Sequence, residues 1–292
     1  MAAGIYAGRK KLKTLLVTDN FGGQPILAGV VENFVGIKSI PGLELVKKIE
    51  DHLRSENSIE LKEGFKAIKL EKKENGFAVT SAKGESFEAK TVLIALGSRY
   101  RHLNVAGEDK FEGKGVFYCS TCDAPLMKDK AVAVVGGGNA GFGAAMDLLP
   151  YASKIYVLEY TDVLRADPIT QDKIKSSGKA EIITMAAVEE ISGDEFVKGL
   201  KYQDRRTNEK KELAISGVFI SIGYEPNSVL AKDLAEIGKT GGIIVDHMTQ
   251  KTSCEGLWAA GDVTDNLYHQ NNLAVADGIK AVLNIDDYLK GK

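Results

Sequence analysis

AVAVVGGGNAG, residues 131–141, decides the fold. A run of five small or β-branched apolar residues leads into three consecutive glycines, and Gly136, Gly138 and Gly141 stand in Gly-x-Gly-x-x-Gly spacing. The run reads as a buried strand, the small residues from about Ala140 to Leu148 as a helix, and Lys154–Tyr160 as the next strand. In that frame the glycines permit a tight turn, let the backbone approach a pyrophosphate, and let helix and strand pack closely. The helix N-terminus, at Asn139 and Ala140, then faces the anion. The second strand ends at Glu159, 23 positions after Gly136 and close to the ~20 expected of a ribose-binding acid. A carboxylate there accepts hydrogen bonds from both ribose hydroxyls of NADH and repels the 2′-phosphate of NADPH. The segment predicts a nicotinamide dinucleotide domain that prefers NADH.

Outward from this motif, the chain has room for two domains. It has 292 residues, 44% hydrophobic and 27% charged, with a formal net charge of −2. There is no basic field to attract nucleic acid or an anionic membrane, no apolar run near bilayer length and no signal peptide. Three cysteines in such a length do not make a secreted disulfide framework and fit a reducing cytoplasm.

The first nineteen residues read as a helix ending in Arg9, Lys10 and Lys11, then a strand over Thr14–Thr18. No capping residue precedes the helix. Glu44–Arg54 predicts an amphipathic helix, with Leu45, Ile49 and Leu53 four apart. The runs 59–61, 67–71, 77–81 and 86–89, with turns at Asn75-Gly76 and Lys83-Gly84, predict an antiparallel meander. TVLIALGS, 91–98, reads as a strand buried on both faces. A composition break falls near Ala106-Gly107-Glu108. Beyond the glycine loop, 180–185, 199–205 and 215–223 are β-leaning. TGGIIVD (240–246) and GLWAAGD (256–262) suggest two more strands, and Asn272–Leu289 the last helix.

Upstream of the glycine loop lies YCSTCDAPL, residues 118–126. Zinc wants four ligands, and the remaining Cys254 and four scattered histidines supply no second pair. Two inert buried thiols remain a reading of Cys119 and Cys122. A dithiol beside a dinucleotide fold is better suited to electron transfer, with Asp123 as a proton carrier for an attacking or departing sulfur. Hydride chemistry then calls for a flavin between NADH and the disulfide, and so for a second dinucleotide site. Cys254 reads as a partly buried free thiol.

CSTCD, AVAVVGGGNAG and GLWAAGDVTD, taken in order, resemble the low-molecular-weight thioredoxin reductase family, and within it the NADH-dependent flavoprotein subunits of alkyl hydroperoxide reductases. The likeness runs over essentially the whole chain. It implies an α/β fold of two Rossmann-like three-layer domains, one inserted in the other. Residues 1–107 with 232–292 would bind FAD and 108–231 would bind the nicotinamide nucleotide. It implies FAD contacts from Gly22, Gly23 and Gln24, from Asn33, from Ala95 and Gly97 in the IALG turn, and from Gly261, Asp262 and Gln270. Asp262 would hold a ribityl hydroxyl. Without the resemblance, Asp262 could equally be a helix cap. Cys122 would be the thiol nearer the flavin, Cys119 the one that meets the protein substrate, and Asp123 the general acid. The implied partners are a thioredoxin-like or glutaredoxin-like protein and a second copy in a homodimer, with rotation of the nicotinamide domain.

The sequence departs from the family in a few places. The family begins with a strand and a first glycine loop for FAD, whereas Met1 aligns within the helix that follows. Truncation is the favoured reading, and a chain that holds FAD weakly the other. Ala95 stands where Thr is common and Asn271 where a small residue is usual. No thioredoxin-like extension precedes, which argues for a separate dithiol partner. The competing functions are an NADH oxidase or flavin reductase with an incidental dithiol, and a crippled nucleotide-binding fragment.

Overall fold

The computed structural model describes residues 1–27 and 30–292. The chain divides into two compact units, Met1–Arg99 with Glu225–Lys292, and the contiguous segment Tyr100–Tyr224. The sequence reading draws its limits a few residues further on, at 107/108 and 231/232.

The inserted unit is built on a five-stranded sheet, every pairing parallel. Its order is Val116–Phe117, Gly217–Ile220, Ala131–Val135, Lys154–Glu159, Ala180–Thr184. Alternation along the strands sorts the core into two faces, because successive side chains point to opposite sides. Val132, Val134, Ile155, Val157 and Phe219 pack with Phe142, Ala145 and Leu148 of helix Asn139–Leu148 and Ile174 of helix Pro168–Ser176. Ala133, Val135, Leu158, Val218 and Ile220 pack on the other face with Ile191, Val197, Leu200 and Tyr202. That second covering layer is an antiparallel sheet, Ala186–Gly193, Val197–Asp204 and Lys210–Ala214, rather than helices. Strand Ala186–Gly193 escapes the sequence reading because bulges between Val188 and Glu190 and between Ser192 and Gly193 break its alternation.

In the other unit, Leu257–Ala259 pairs in parallel with Val92–Ile94. Leu257 and Ala259 face a core with Phe77, Ile94 and Ile243, while Trp258 and Ala260 face Ala281 and Ile285 of helix Asn271–Leu289. Ile59–Lys62 does not join the meander as expected; it pairs in parallel with Thr14–Val17. Helix Gly42–Arg54 precedes it, so the strand returns as part of a βαβ crossover. The meander itself is Ala67–Lys73, Gly76–Ser81 and Ser86–Ala89. TVLIALGS is not one strand buried on both faces: it is extended at Val92–Ile94, exposes Leu96, turns at Gly97 with φ 62° and starts a second strand at Ser98. TGGIIVD forms isolated bridges, Ile243 with Ile237 and Thr264, instead of a strand. The first helix closes at Arg9. Among the described residues no helix is long and apolar enough to cross a membrane.

Candidate active site

Cys119 and Cys122 form a disulfide, their Cα atoms 5.4 Å apart. Cys119 is the extended N-cap of the short helix Ser120–Asp123, and its Sγ accepts from the Cys122 N–H at 3.3 Å. Burial raises the Asp123 carboxyl above its ordinary value, so it keeps a proton to give at higher pH than an exposed aspartate would. Before the pair stands Tyr118, which donates to Glu108 Oε1 at 2.7 Å. Glu108 is 1% exposed and also accepts from the Leu103 and Asn104 N–H groups at 3.0 and 2.6 Å. With the Tyr118 proton so used, His102 Nδ1 at 2.8 Å donates to the phenol oxygen. Burial first, then the bond to Glu108, drives the Tyr118 hydroxyl far above its usual range.

In the same unit the glycine loop has the shape that a dinucleotide needs. At Gly141 a Cβ would lie 1.9 Å from the Gly136 carbonyl, and Gly136 has φ 128°. At Gly138 a Cβ would meet nothing within 4 Å. Gly138 is the N-cap of helix Asn139–Leu148 and makes no side-chain cap, so the first-turn N–H groups suit a phosphate. The Asn139 side chain is tied to the next loop, its Oδ1 accepting from the Asp167 N–H at 2.8 Å, while its backbone N–H belongs to that first turn. Glu159 Oε2 accepts from Gly137 N at 2.7 Å and Oε1 from the Thr161 N–H and hydroxyl at 2.9 Å. Burial raises this carboxyl, but those bonds and the nearby Arg165 outweigh it and hold it below its ordinary value. Oε2, with a single donor, keeps acceptor capacity for a ribose hydroxyl.

Arg165 follows Glu159 by six positions in the sequence. The structure adds Arg205, whose guanidinium lies 3.9 Å from the Tyr160 ring centroid and bonds the Tyr160 carbonyl at 2.8 Å. Arg206 bonds Thr184 Oγ1 at 2.6 Å. Both come from a hairpin more than 40 residues downstream, and no spacing announces them.

The residues expected to hold FAD fall into two groups in the other unit. Gln24 Nε2 donates to the Ser98 carbonyl at 3.0 Å, which joins the Gly22–Gln24 turn to the one after Ala95 and Gly97. Asn33 Nδ2 donates to Gln270 Oε1 at 2.9 Å, Asn272 Nδ2 to the Asn33 carbonyl at 2.7 Å, and His269 Nδ1 lies 3.5 Å from Asp262 Oδ1. Gly261, with φ 74°, turns the chain after Leu257–Ala259 and presents Asp262. Burial raises the Asp262 carboxyl against the opposing charge of His269. Polar and glycine-flanked, these groups fit a flavin nucleotide; His269 precedes Gln270 in the same turn, and Asn272 is an addition that no motif supplied. Among the described residues no cluster of three His, Cys, Asp or Glu could hold a metal. Cys254 is a buried free thiol.

The family model described as pyridine nucleotide-disulphide oxidoreductase matches residues 1–278. The chain belongs to the pyridine nucleotide-disulphide oxidoreductase family. That family implies a flavin and a nicotinamide nucleotide. Among its relatives, an alkyl hydroperoxide reductase component from Pseudomonas putida is 41% identical over 292 residues. A Bacillus subtilis (strain 168) NADH dehydrogenase is 39% identical over 288. Each alignment takes in 99% of this chain and 56% of the relative, so the chain spans about half the length of these curated oxidoreductases. Thioredoxin reductase from Lactococcus lactis superposes with TM-score 0.86 at 28% identity, covering 100% of this chain and 95% of the other. That from T. acidophilum gives TM-score 0.82 at 37% identity, covering 99% and 94%.

Proposed function

We propose that this oxidoreductase carries two electrons from NADH by way of FAD to the Cys119–Cys122 disulfide, and from there to a thioredoxin-like or glutaredoxin-like protein. One observation carries the reading: a disulfide beside Asp123, a carboxyl raised by burial, in the unit that contains the glycine loop and Glu159. FAD, when bound, supplies the hydride acceptance that a disulfide lacks. Gly22, Gly23, Gln24, Asn33, Ala95, Gly97, Gly261, Asp262 and Gln270 would hold it. Gly136, Gly138, Asn139, Ala140, Gly141 and Glu159 would hold NADH, so the FAD and nicotinamide domains correspond to the outer and inserted units.

The chemistry balances over the chain's own groups. Two electrons and two protons break the S–S bond and leave two thiols. Asp123 delivers a proton to the sulfur that departs. Cys119, as a thiolate, attacks the partner's disulfide; Cys122 then closes the ring and releases the partner reduced. NADH is preferred because Glu159 would repel a 2′-phosphate, while Arg205 and Arg206 are already engaged by Tyr160 and Thr184. A homodimer and a cytoplasmic, reducing setting complete the proposal.

The deciding experiment replaces both cysteines by serine (Cys119→Ser with Cys122→Ser) in the FAD-loaded protein. Disulfide reduction should disappear while oxidation of NADH by a small electron acceptor continues. Retention of disulfide reduction sinks the proposal. An unmodified protein that oxidises NADH but never reduces a disulfide is an NADH oxidase or flavin reductase. One that binds NADH without oxidising it is a nucleotide-binding module.

A further inference from the structure

We infer that Asp147 is a positioning residue for the redox turn, holding the Ser120 and Thr121 hydroxyls on its carboxylate and setting a negative charge beside the dithiol. The inference rests on the redox reading of Cys119–Cys122 and deepens it.

Ser120 Oγ donates to Asp147 Oδ2 at 2.7 Å, and Thr121 Oγ1 reaches the same oxygen at 3.3 Å. Both residues that separate the two cysteines are therefore gathered on one atom. Asp147 stands in the last turn of helix Asn139–Leu148, the helix that starts at the glycine loop. Helix physics disfavours an acid there, because the macrodipole is negative at that end. No basic residue shares that last turn. The redox turn supplies the reason that the helix does not.

A hydroxyl has one proton to donate. While Ser120 and Thr121 give theirs to Asp147, neither can stabilise a thiolate at Cys119 or Cys122. The Asp147 charge acts in the same direction, since a nearby anion disfavours a second one. Asp123 adds another carboxyl on the turn itself, and Tyr118, preceding it, has its proton committed to Glu108; the Tyr100 ring stacks on Tyr118. The reduced pair is thereby biased toward two protonated thiols. That makes the dithiol a poorer spontaneous nucleophile and a more strongly reducing couple once its thiolate forms.

The test is made on the full chain in four forms: unmodified, Asp147→Asn, Asp147→Ala and Ser120→Ala. Two readouts need no flavin. One is the ultraviolet thiolate absorbance of the reduced protein against pH, corrected with the doubly Ser-substituted chain. The other is the dithiol–disulfide equilibrium in a dithiothreitol redox buffer. Asp147→Asn keeps an acceptor of the same shape and removes only charge; the thiol titration should fall by about half a pH unit. Asp147→Ala also frees both hydroxyls and should fall further, with Ser120→Ala moving less than Asp147→Ala. Above the thiol titration the equilibrium should shift about threefold toward the dithiol in Asp147→Asn. Identical titrations and equilibria in both Asp147 variants, beside an unmodified pair that cycles reversibly, overturn the inference alone. An unmodified pair that does not cycle overturns the redox reading, and the inference falls with it.

Discussion

Glu108 orders the approach to the dithiol from a position that no motif marks. It is a buried carboxylate that accepts from two backbone N–H groups and from the Tyr118 hydroxyl of the residue before Cys119, with His102 Nδ1 3.3 Å from Oε1. Tyr118→Phe removes that donor and leaves the carboxylate short of a partner, so stability should drop by about 1–3 kcal/mol in denaturant unfolding. Two acids of the site should titrate in opposite senses. Asp123 is raised, so thiol–disulfide exchange assisted by its proton should fade as pH climbs through that raised value, and Asp123→Asn should flatten the profile. Glu159 is lowered, so its contribution to stability is complete above the ordinary glutamate range and is lost only as pH falls through the depressed value. Glu159→Ala should weaken NADH about tenfold or more while leaving NADPH less affected, measured by equilibrium titration of each nucleotide.

Among elements, the strand–loop–helix of Ala131–Leu148 shows how narrowly a local motif is specified. Gly141→Ala drives a methyl onto the Gly136 carbonyl, 1.9 Å from the ideal Cβ position. It should abolish NADH binding and cost about 1–3 kcal/mol on thermal or denaturant unfolding, whereas Gly138→Ala, in open space, should fold normally. Such motifs are legible because every participant lies within a few residues of the others. Ile59–Lys62 was legible as a strand but not as a partner of Thr14–Val17, since alternation reports that a segment is extended and not what it pairs with. Ala186–Gly193 hid behind its bulges. Arg205 and Asp147 were hidden more deeply: one reaches Tyr160 from a hairpin 45 residues away and the other reaches Ser120 across 27, and neither distance leaves a periodic trace.

For the whole molecule, the division into Tyr100–Tyr224 and the two flanking stretches makes the cofactor assignment testable by hydrogen exchange. NADH should slow exchange of amides around 131–165, and FAD those around 22–35, 94–98 and 261–272. Protection by NADH confined to the FAD segments would reverse the assignment. The nesting of one unit in the other was an implication of the family resemblance, since composition and periodicity report on a few residues at a time. Their limits were less legible, since the Ala106-Gly107 composition break sits inside a loop anchored by Glu108 rather than at a unit boundary.

Where the inserted segment begins and where it ends, the Tyr100 and Tyr224 ring centroids lie 5.1 Å apart, and the Arg101 N–H bonds the Gly223 carbonyl at 2.9 Å. The inserted segment thus starts and finishes at neighbouring points. A stretch with touching ends can be lifted out and its cut closed by a few glycines, or its ends can be sewn together and new termini opened in a surface turn. Cys119, Cys122, Asp123, Asp147 and Glu159 would all travel with it, as a portable cassette that carries a thiol couple and a nucleotide cradle into another host.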